Sequence, residues 1–289
     1  MRILLFGCNG QVARCLKDAA SDTDDVIALG STTGGDLLQP GNAVAAIRTH
    51  KPDCVINAAA YTAVDRAEDD NETAMRLNAE AVAEIAKAAK AIDIPFLHIS
   101  TDYVFDGTSE NSYKETDPTN PINVYGQTKL AGEVAALEEN KSAIILRTSW
   151  VFSEYGANFV KTMLRLAGER DALSIVDDQI GGPTAARDIA ETALMIARKV
   201  QRGAPGDGIY HYQGAPTVSW AGFARKIFEI ADKKTAVTSI PTSAFPTPAA
   251  RPLHTILDCA RIERDFGIPQ PDWRPALRQV IEALQKKDD

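Results

Sequence analysis

A run of apolar residues, Ile3-Leu4-Leu5-Phe6, passes directly into Gly7-Cys8-Asn9-Gly10-Gln11-Val12-Ala13, and this junction limits the folds open to the chain more than any other stretch. An unbroken apolar run of that length reads as a strand buried on both faces, as parallel strands with helices on either side are. The residues that follow fall at helical spacing through Val12, Leu16 and Ala19-Ala20. Strand, glycine turn and helix together form the phosphate-binding start of a dinucleotide fold. Gly7 permits the tight turn, Gly10 lets a pyrophosphate approach the backbone at the helix N-terminus, and Ala13 is small enough for helix and strand to pack closely. The spacing is GxxGxxA rather than GxGxxG, and taken alone it also fits an ordinary βα turn.

The alternation continues. Val26 to Leu29, Cys54 to Asn57, Pro95 to Ile99 and Ala143 to Leu146 read as further strands. Between them lie a helix opened by Pro40-Gly41-Asn42, one long helix from Asp65 to Ala91, and a helix from Tyr125 to Leu137. This pattern predicts an α/β fold, a Rossmann-type doubly wound parallel sheet. Beyond Phe152 the alternation loosens. Asn158 to Glu169 reads as helix and Leu173 to Val176 as strand. Thr184 is placed to cap a helix to about Val200. Gly208 to Tyr212 reads as strand, Ser219 as the cap of a helix, and final helices start near Asp258 and Trp273. We expect a dinucleotide-binding domain over 1–152, with segments at about 173–212 partly returning to it, and a smaller C-terminal substrate lobe over 153–289.

Composition narrows the function. A net charge of −8 argues against nucleic-acid binding, which needs a basic surface. No apolar run approaches membrane-spanning length, and the one at Ile3 is too short for a signal sequence. The four cysteines, Cys8, Cys15, Cys54 and Cys259, show no CxxC spacing, as expected of a reduced cytoplasmic protein with buried thiols. The histidines have no metal-ligand spacing, and His98 on its strand reads as a packed core residue.

The chemistry gathers between Ser100 and Lys129. Tyr125 and Lys129 are four apart, one turn from each other on one helix face. An ammonium beside a phenol lowers its pKa from about 10. A hydroxyl from Thr101, carried to the same place by the fourth strand, completes an acid/base unit able to protonate a carbonyl oxygen as a hydride arrives. Taken alone, the pair fits an exposed helix face better than a site; the fold decides, because strands of an open parallel sheet deliver their C-terminal ends to one edge, where a dinucleotide lies. The small residues Ala58-Ala59-Ala60 end the third strand at that edge. The second strand ends in Gly30-Ser31-Thr32-Thr33, with no acid to repel a 2′-phosphate and with hydroxyls to bind one. That favours NADPH, with NADH kept open. Arg14 is the nearest cation in reach. Asp36-Leu37 either flanks the adenine or is a loop acid ahead of the next helix.

These segments together resemble an extended short-chain dehydrogenase/reductase. Gly7 to Val12, Asn57 to Asp65, Ser100 to Gly107, Asn123 to Glu133, Arg147 to Val151, Asp178-Gln179 and Pro246 to Pro252 are similar to the dTDP-4-dehydrorhamnose reductase family in particular. The resemblance implies hydride transfer from NADPH or NADH to C4 of dTDP-4-dehydro-L-rhamnose. Tyr125 would be the proton donor, Lys129 would lower its pKa and hold the nicotinamide ribose, and Thr101 would hydrogen-bond the reacting oxygen. It implies Gly10, Gln11, Val12, Asp36, Leu37, Ala60, Tyr61 and Thr62 at the cofactor, together with Tyr125 and Lys129; the glycine turn, the hydroxyls after the second strand and the small residues after the third add Gly7, Ser31 and Ala59. Thr101, Asp102, Tyr103 and Trp150 would face the sugar nucleotide. Arg251 has two readings, a diphosphate partner or a surface ion pair. Some family members hold magnesium between subunits through clustered glutamates; the matching positions here are Cys15 and Arg187, poor magnesium ligands, so no metal is expected and a homodimer is left open. Two other readings remain: a reductase of a different dTDP-4-keto-6-deoxysugar epimer, and a non-catalytic regulatory subunit resembling that of methionine adenosyltransferase.

Overall fold

The computed structural model describes residues 1–288. The first half runs β1 (Arg2–Phe6), α1 (Gln11–Ala19), β2 (Asp25–Leu29), α2 (Asn42–His50) and β3 (Cys54–Asn57). It continues through α3 (Val64–Ala67), α4 (Asn71–Met75), a π-helical turn (Arg76–Glu80), α5 (Ala81–Ala91), β4 (Phe96–Thr101), α6 (Val124–Glu139) and β5 (Ile144–Thr148). The second half holds β6 (Val151–Phe152), α7 (Phe159–Ala167), β7 (Ala172–Val176), β8 (Ile180–Gly181), β9 (Thr184–Ala185), α8 (Ala186–Gln201) and β10 (Gly208–His211). It closes with β11 (Val218–Ser219), α9 (Trp220–Ile230), β12 (Ala236–Ile240), α10 (Ala260–Phe266) and α11 (Trp273–Asp288).

The central sheet has six strands in the order β10-β5-β4-β3-β1-β2, and every pairing is parallel. The apolar run of β1 shows why both faces must be covered. Ile3 and Leu5 join one core with α1, α8 and α10. Leu4 and Phe6 point the other way into a core with α2 and α5, as the two-residue strand period requires. All four are fully buried, each contributing about 1.5–3 kcal/mol relative to exposure. A separate core, built around Phe152, Phe223, Ile227, Trp273 and Leu277, holds α7, α9 and α11 together.

Two local expectations are corrected. The long helix from Asp65 to Ala91 is broken. Asp70 leaves helical geometry (φ −130°, ψ 49°), and its carboxylate accepts from the Tyr61 hydroxyl at 3.1 Å. A little further on, the π-helical turn carries the buried Asn78, whose side chain accepts from Tyr61 N–H (2.8 Å) and donates to Tyr61 O (3.2 Å) and Thr128 Oγ1 (3.0 Å). Thr184 does not cap α8. It lies in β9, its hydroxyl donating to Gly182 O and accepting from Gly214 N–H, both at 3.1 Å; α8 begins after Ala185 with no side-chain cap. The strand at Leu173 to Val176 pairs with β12 in a separate two-stranded sheet, whereas β10 joins the central one beside β5.

Register places the site. Asn57 is level with Phe6 and His98, and Thr101 with Thr148, so four strand ends open on one edge. Two glycines bring the connecting chain close there. Gly7 has φ +97°, and a Cβ on it would lie 2.7 Å from Ala59 N. A Cβ on Gly126, in the first turn of α6, would lie 2.2 Å from Tyr103 O. That approach seats the start of α6 on the segment after β4.

Candidate active site

A cleft of about 860 Å³ follows this edge. At one end is the N-terminus of α1. Its Ncap residue, Gly10, provides no side-chain cap, so the first backbone N–H groups remain available to an anion, favoured further by the helix dipole. At the other end, the 3₁₀ turn after β4 and the first turn of α6 meet.

Thr101 is the hinge of that second end. Its Oγ1 accepts from Tyr103 N–H (3.2 Å) and donates to Asp102 Oδ1 (3.0 Å). Asn123 caps α6 by accepting from Gly126 N–H at 2.8 Å, which orients the next residues, Tyr125 among them. The Tyr125 hydroxyl meets Thr101; burial pushes its pKa up to about 12, the Thr101 hydrogen bond opposes this, and the Asp102 charge adds to it. The phenol is therefore held firmly protonated, the state a proton donor needs. Lys129 is not among the groups that shift its pKa. Lys129 Nζ is engaged elsewhere, donating to Ile99 O at 2.7 Å and lying 3.0 Å from His98 Nε2. Burial lowers its pKa to about 7, with Glu133 partly opposing.

Asp102 lines the same end of the cleft. Burial raises its pKa to about 6, against hydrogen bonds from neighbours including Thr101. Its Oδ2, like Thr148 Oγ1, is buried without a hydrogen-bond partner; Thr255 stands near and lowers the Asp102 pKa without closing a bond to Oδ2. Two unpartnered polar atoms lining one cleft suit a ligand rich in hydroxyls. Tyr103 packs edge-on against Tyr125, ring centroids 5.6 Å apart.

The cleft brings together most of the residues singled out from the sequence. Gly7, Gly10, Gln11, Val12, Ser31, Asp36, Leu37, Ala59, Ala60 and Thr62 line it with Thr101, Asp102, Tyr103, Tyr125, Lys129 and Trp150. Gln11 presents its backbone there, because its side chain is tied to Val151 O (3.5 Å), Ser153 Oγ (2.9 Å) and Asn158 Nδ2 (2.8 Å). Tyr61 and Arg251 are not among the lining residues. The Tyr61 ring turns to Asp70. Arg251 pairs with Asp65 at 2.9 Å and donates to Ala249 O at 3.0 Å. Arg14 lays its guanidinium over the Tyr155 ring, 4.0 Å from the centroid, rather than beside Ser31.

Sequence reasoning missed Trp220, Asn158, Thr148 and Cys8, which also line the cleft. Trp220 stacks on Trp150 with ring centroids 3.4 Å apart and planes 4° from parallel, and donates to Gln179 Oε1 at 3.1 Å. The signal was the aromatic residue directly after the Ser219 cap; nothing in spacing tied it to Trp150, some 70 residues earlier. Trp150 itself has φ +46°, rare for a bulky residue, so the indole is held there against backbone preference. Among the described residues, no group of three or more His, Cys, Asp or Glu could hold a metal ion.

The chain is similar to known proteins along its whole length. The family described as RmlD substrate binding domain matches residues 1–286. A dTDP-4-dehydrorhamnose reductase of Sinorhizobium fredii is 43% identical, over 98% of each chain, and that of Escherichia coli K12 is 40% identical, again over 98% of each. Among solved structures, a dTDP-4-dehydrorhamnose reductase from Bacillus anthracis in complex with NADP superposes with a TM-score of 0.90 at 34% identity, covering 98% of this chain and 99% of that one. The glycine turn, the Thr101/Tyr125/Lys129 cluster and the parallel sheet thus sit in a chain that belongs to the family described as RmlD substrate binding domain, and these relatives are named dTDP-4-dehydrorhamnose reductase.

Proposed function

We propose that the protein reduces the C4 keto group of dTDP-4-dehydro-L-rhamnose to give dTDP-L-rhamnose, with NADPH as reductant. The observation that carries this reading is the convergence of Thr101, Tyr125 and Lys129 at one end of a cleft whose other end is the open N-terminus of α1. The bacterial relatives' names supply the substrate, and the NADP of the Bacillus anthracis structure the cofactor.

The residues present fit a dinucleotide. Gly7 keeps the backbone against Ala59, the α1 N–H groups face the cleft, and β2 ends in Gly30-Ser31 with no acid. When bound, the nicotinamide supplies the hydride. Tyr125 gives its Oη proton to the C4 oxygen, and its raised pKa keeps that proton in place until charge develops on the oxygen. Thr101, fixed between Asp102 and Tyr103 N–H, holds its hydroxyl oxygen against the Tyr125 phenol and so keeps the proton donor in place. The unpartnered Oδ2 of Asp102 accepts a sugar hydroxyl, and the Trp150–Trp220 stack forms a flat wall beside it. The lobe built on α7, α9 and α11 contributes that wall and serves as the substrate side of the cleft.

The test is direct. Purified protein, NADPH and dTDP-4-dehydro-L-rhamnose should consume reduced cofactor and yield dTDP-L-rhamnose stoichiometrically. Tight NADPH binding with no oxidation would favour the regulatory-subunit reading, and a product of another configuration would favour the other epimer.

A further inference from the structure

From Lys129 at the cleft wall, a buried line runs inward through His98 to Asn57, the three side chains 1%, 0% and 0% exposed. Lys129 Nζ lies 3.0 Å from His98 Nε2. His98 Nδ1 lies 3.1 Å from Asn57 Nδ2. Asn57 Oδ1 accepts from Ala59 N–H at 3.1 Å, and Ala59 is the backbone against which Gly7 packs. The line therefore joins the acid/base end of the cleft to its cofactor-loop end.

The other charges around Lys129 are accounted for. Glu133, one turn along α6, is held by Arg147 of β5 at 2.6 Å and by the Ser100 hydroxyl at 2.5 Å. Asp102 and the Tyr125 phenol lie on the cleft side. Lys129 thus has no carboxylate of its own, and its nearest side-chain partner is another base. Two basic nitrogens this close in a dry site do not both hold an extra proton. Because Asn57 Oδ1 is committed to Ala59 N–H, its Nδ2 faces His98 Nδ1. The proton of the neutral imidazole then sits on Nε2 and points at Nζ, which accepts it as a free amine.

We infer that His98 is a positioning residue for Lys129: its imidazole parks the amine at Ile99 O in the ligand-free protein and sets the pH at which Lys129 becomes an ammonium. Burial and Lys129 both keep His98 itself neutral, outweighing the neighbouring Asn57 backbone, which favours its charged form. Charging Lys129 requires a proton from solvent and a change of tautomer at His98 that sets Nδ1–H against Asn57 Nδ2. Lys129 protonation is thereby coupled, through Asn57, to the Ala59 N–H at the cofactor loop.

Only the consequence for turnover rests on the reductase reading; the pair itself is tested without it. Lysine labelled with ¹³C at Cε, with the Lys129 signal identified by its loss in Lys129→Met, reports the titration in the full chain. The wild type is expected to titrate at about 7. His98→Gln, which offers a carbonyl oxygen to an ammonium but holds no proton, should raise that value by a unit or more, a tenfold change in the equilibrium. The pH profile of kcat should shift with it. A wild-type Lys129 titrating near the ordinary ~10.4 overturns the inference, whatever the variant does. So does a folded His98→Gln protein with an unmoved Lys129 titration, even if its melting temperature has fallen. A moved titration without any turnover would sink the substrate reading alone.

Discussion

Asp102 is 2% exposed, with one carboxylate oxygen unpartnered. A carboxyl whose pKa is raised by burial to about 6 in the fold, against 3.8 unfolded, favours the folded state only while protonated. Its contribution is fully present below pH 3.8 and lost as pH rises through about 6. At neutral pH the ionised group therefore costs stability, up to roughly 3 kcal/mol for a shift of that size. Asp102→Asn should stabilise the protein at pH 8 and gain little at pH 4, while kcat/KM for the sugar nucleotide falls; urea melts at the two pH values check the first part. An equal gain at both would contradict the assignment of cost to the ionised form. A strand end and an i, i+4 spacing singled out Thr101, Tyr125 and Lys129 in the sequence, and the family resemblance added Asp102. Their protonation states were not legible there, because those depend on burial and on neighbours that only the fold brings near: Glu133 for Lys129, Thr101 for Tyr125.

Helix α6 carries Tyr125 and Lys129, and what positions it is a contact with no sequence signature. Gly126 reads as an unremarkable helix residue, yet a Cβ there would lie 2.2 Å from Tyr103 O. Gly126→Ala should shift the start of α6 off the turn after β4, costing about 1–3 kcal/mol in stability. It should lower kcat more than it weakens NADPH binding at the distant α1 end; parallel denaturation, turnover and cofactor titration measure this. Further along α6, Glu133 pairs with Arg147 where both side chains are almost fully buried, 1% and 2% exposed. Leaving either charge alone is costly, so Arg147→Met should destabilise by roughly 3–5 kcal/mol, read from the same melts. The break between α3 and α4 escaped the periodicity because Asp69-Asp70-Asn71 is as compatible with an exposed helix face as with a turn. Tyr61, a tertiary partner at Asp70, is the contact seen there in the fold.

The molecule as a whole was most legible where physics is repetitive. Five apolar strands separated by helical stretches specify a parallel sheet, since only helices on both faces can cover such strands. The second half was less so: β6, β8, β9 and β11 are two residues long, too short for any period to show. On the proposed function one cleft serves cofactor and sugar, so ligand binding should stabilise the entire fold. At a hundredfold excess over Kd, NADPH should add about 2.7 kcal/mol. With no acid at the end of β2, NADH at the same concentration should raise the melting temperature less; a larger shift with NADH would contradict the reading of Gly30-Ser31. The central claim is that Tyr125, protonated and paired with Thr101, delivers the proton. Single-turnover oxidation of bound NADPH by dTDP-4-dehydro-L-rhamnose in wild type and Tyr125→Phe tests it most directly. The rate should fall by about 10²–10⁴-fold with NADPH affinity nearly unchanged, whereas an undiminished rate would remove Tyr125 from the chemistry.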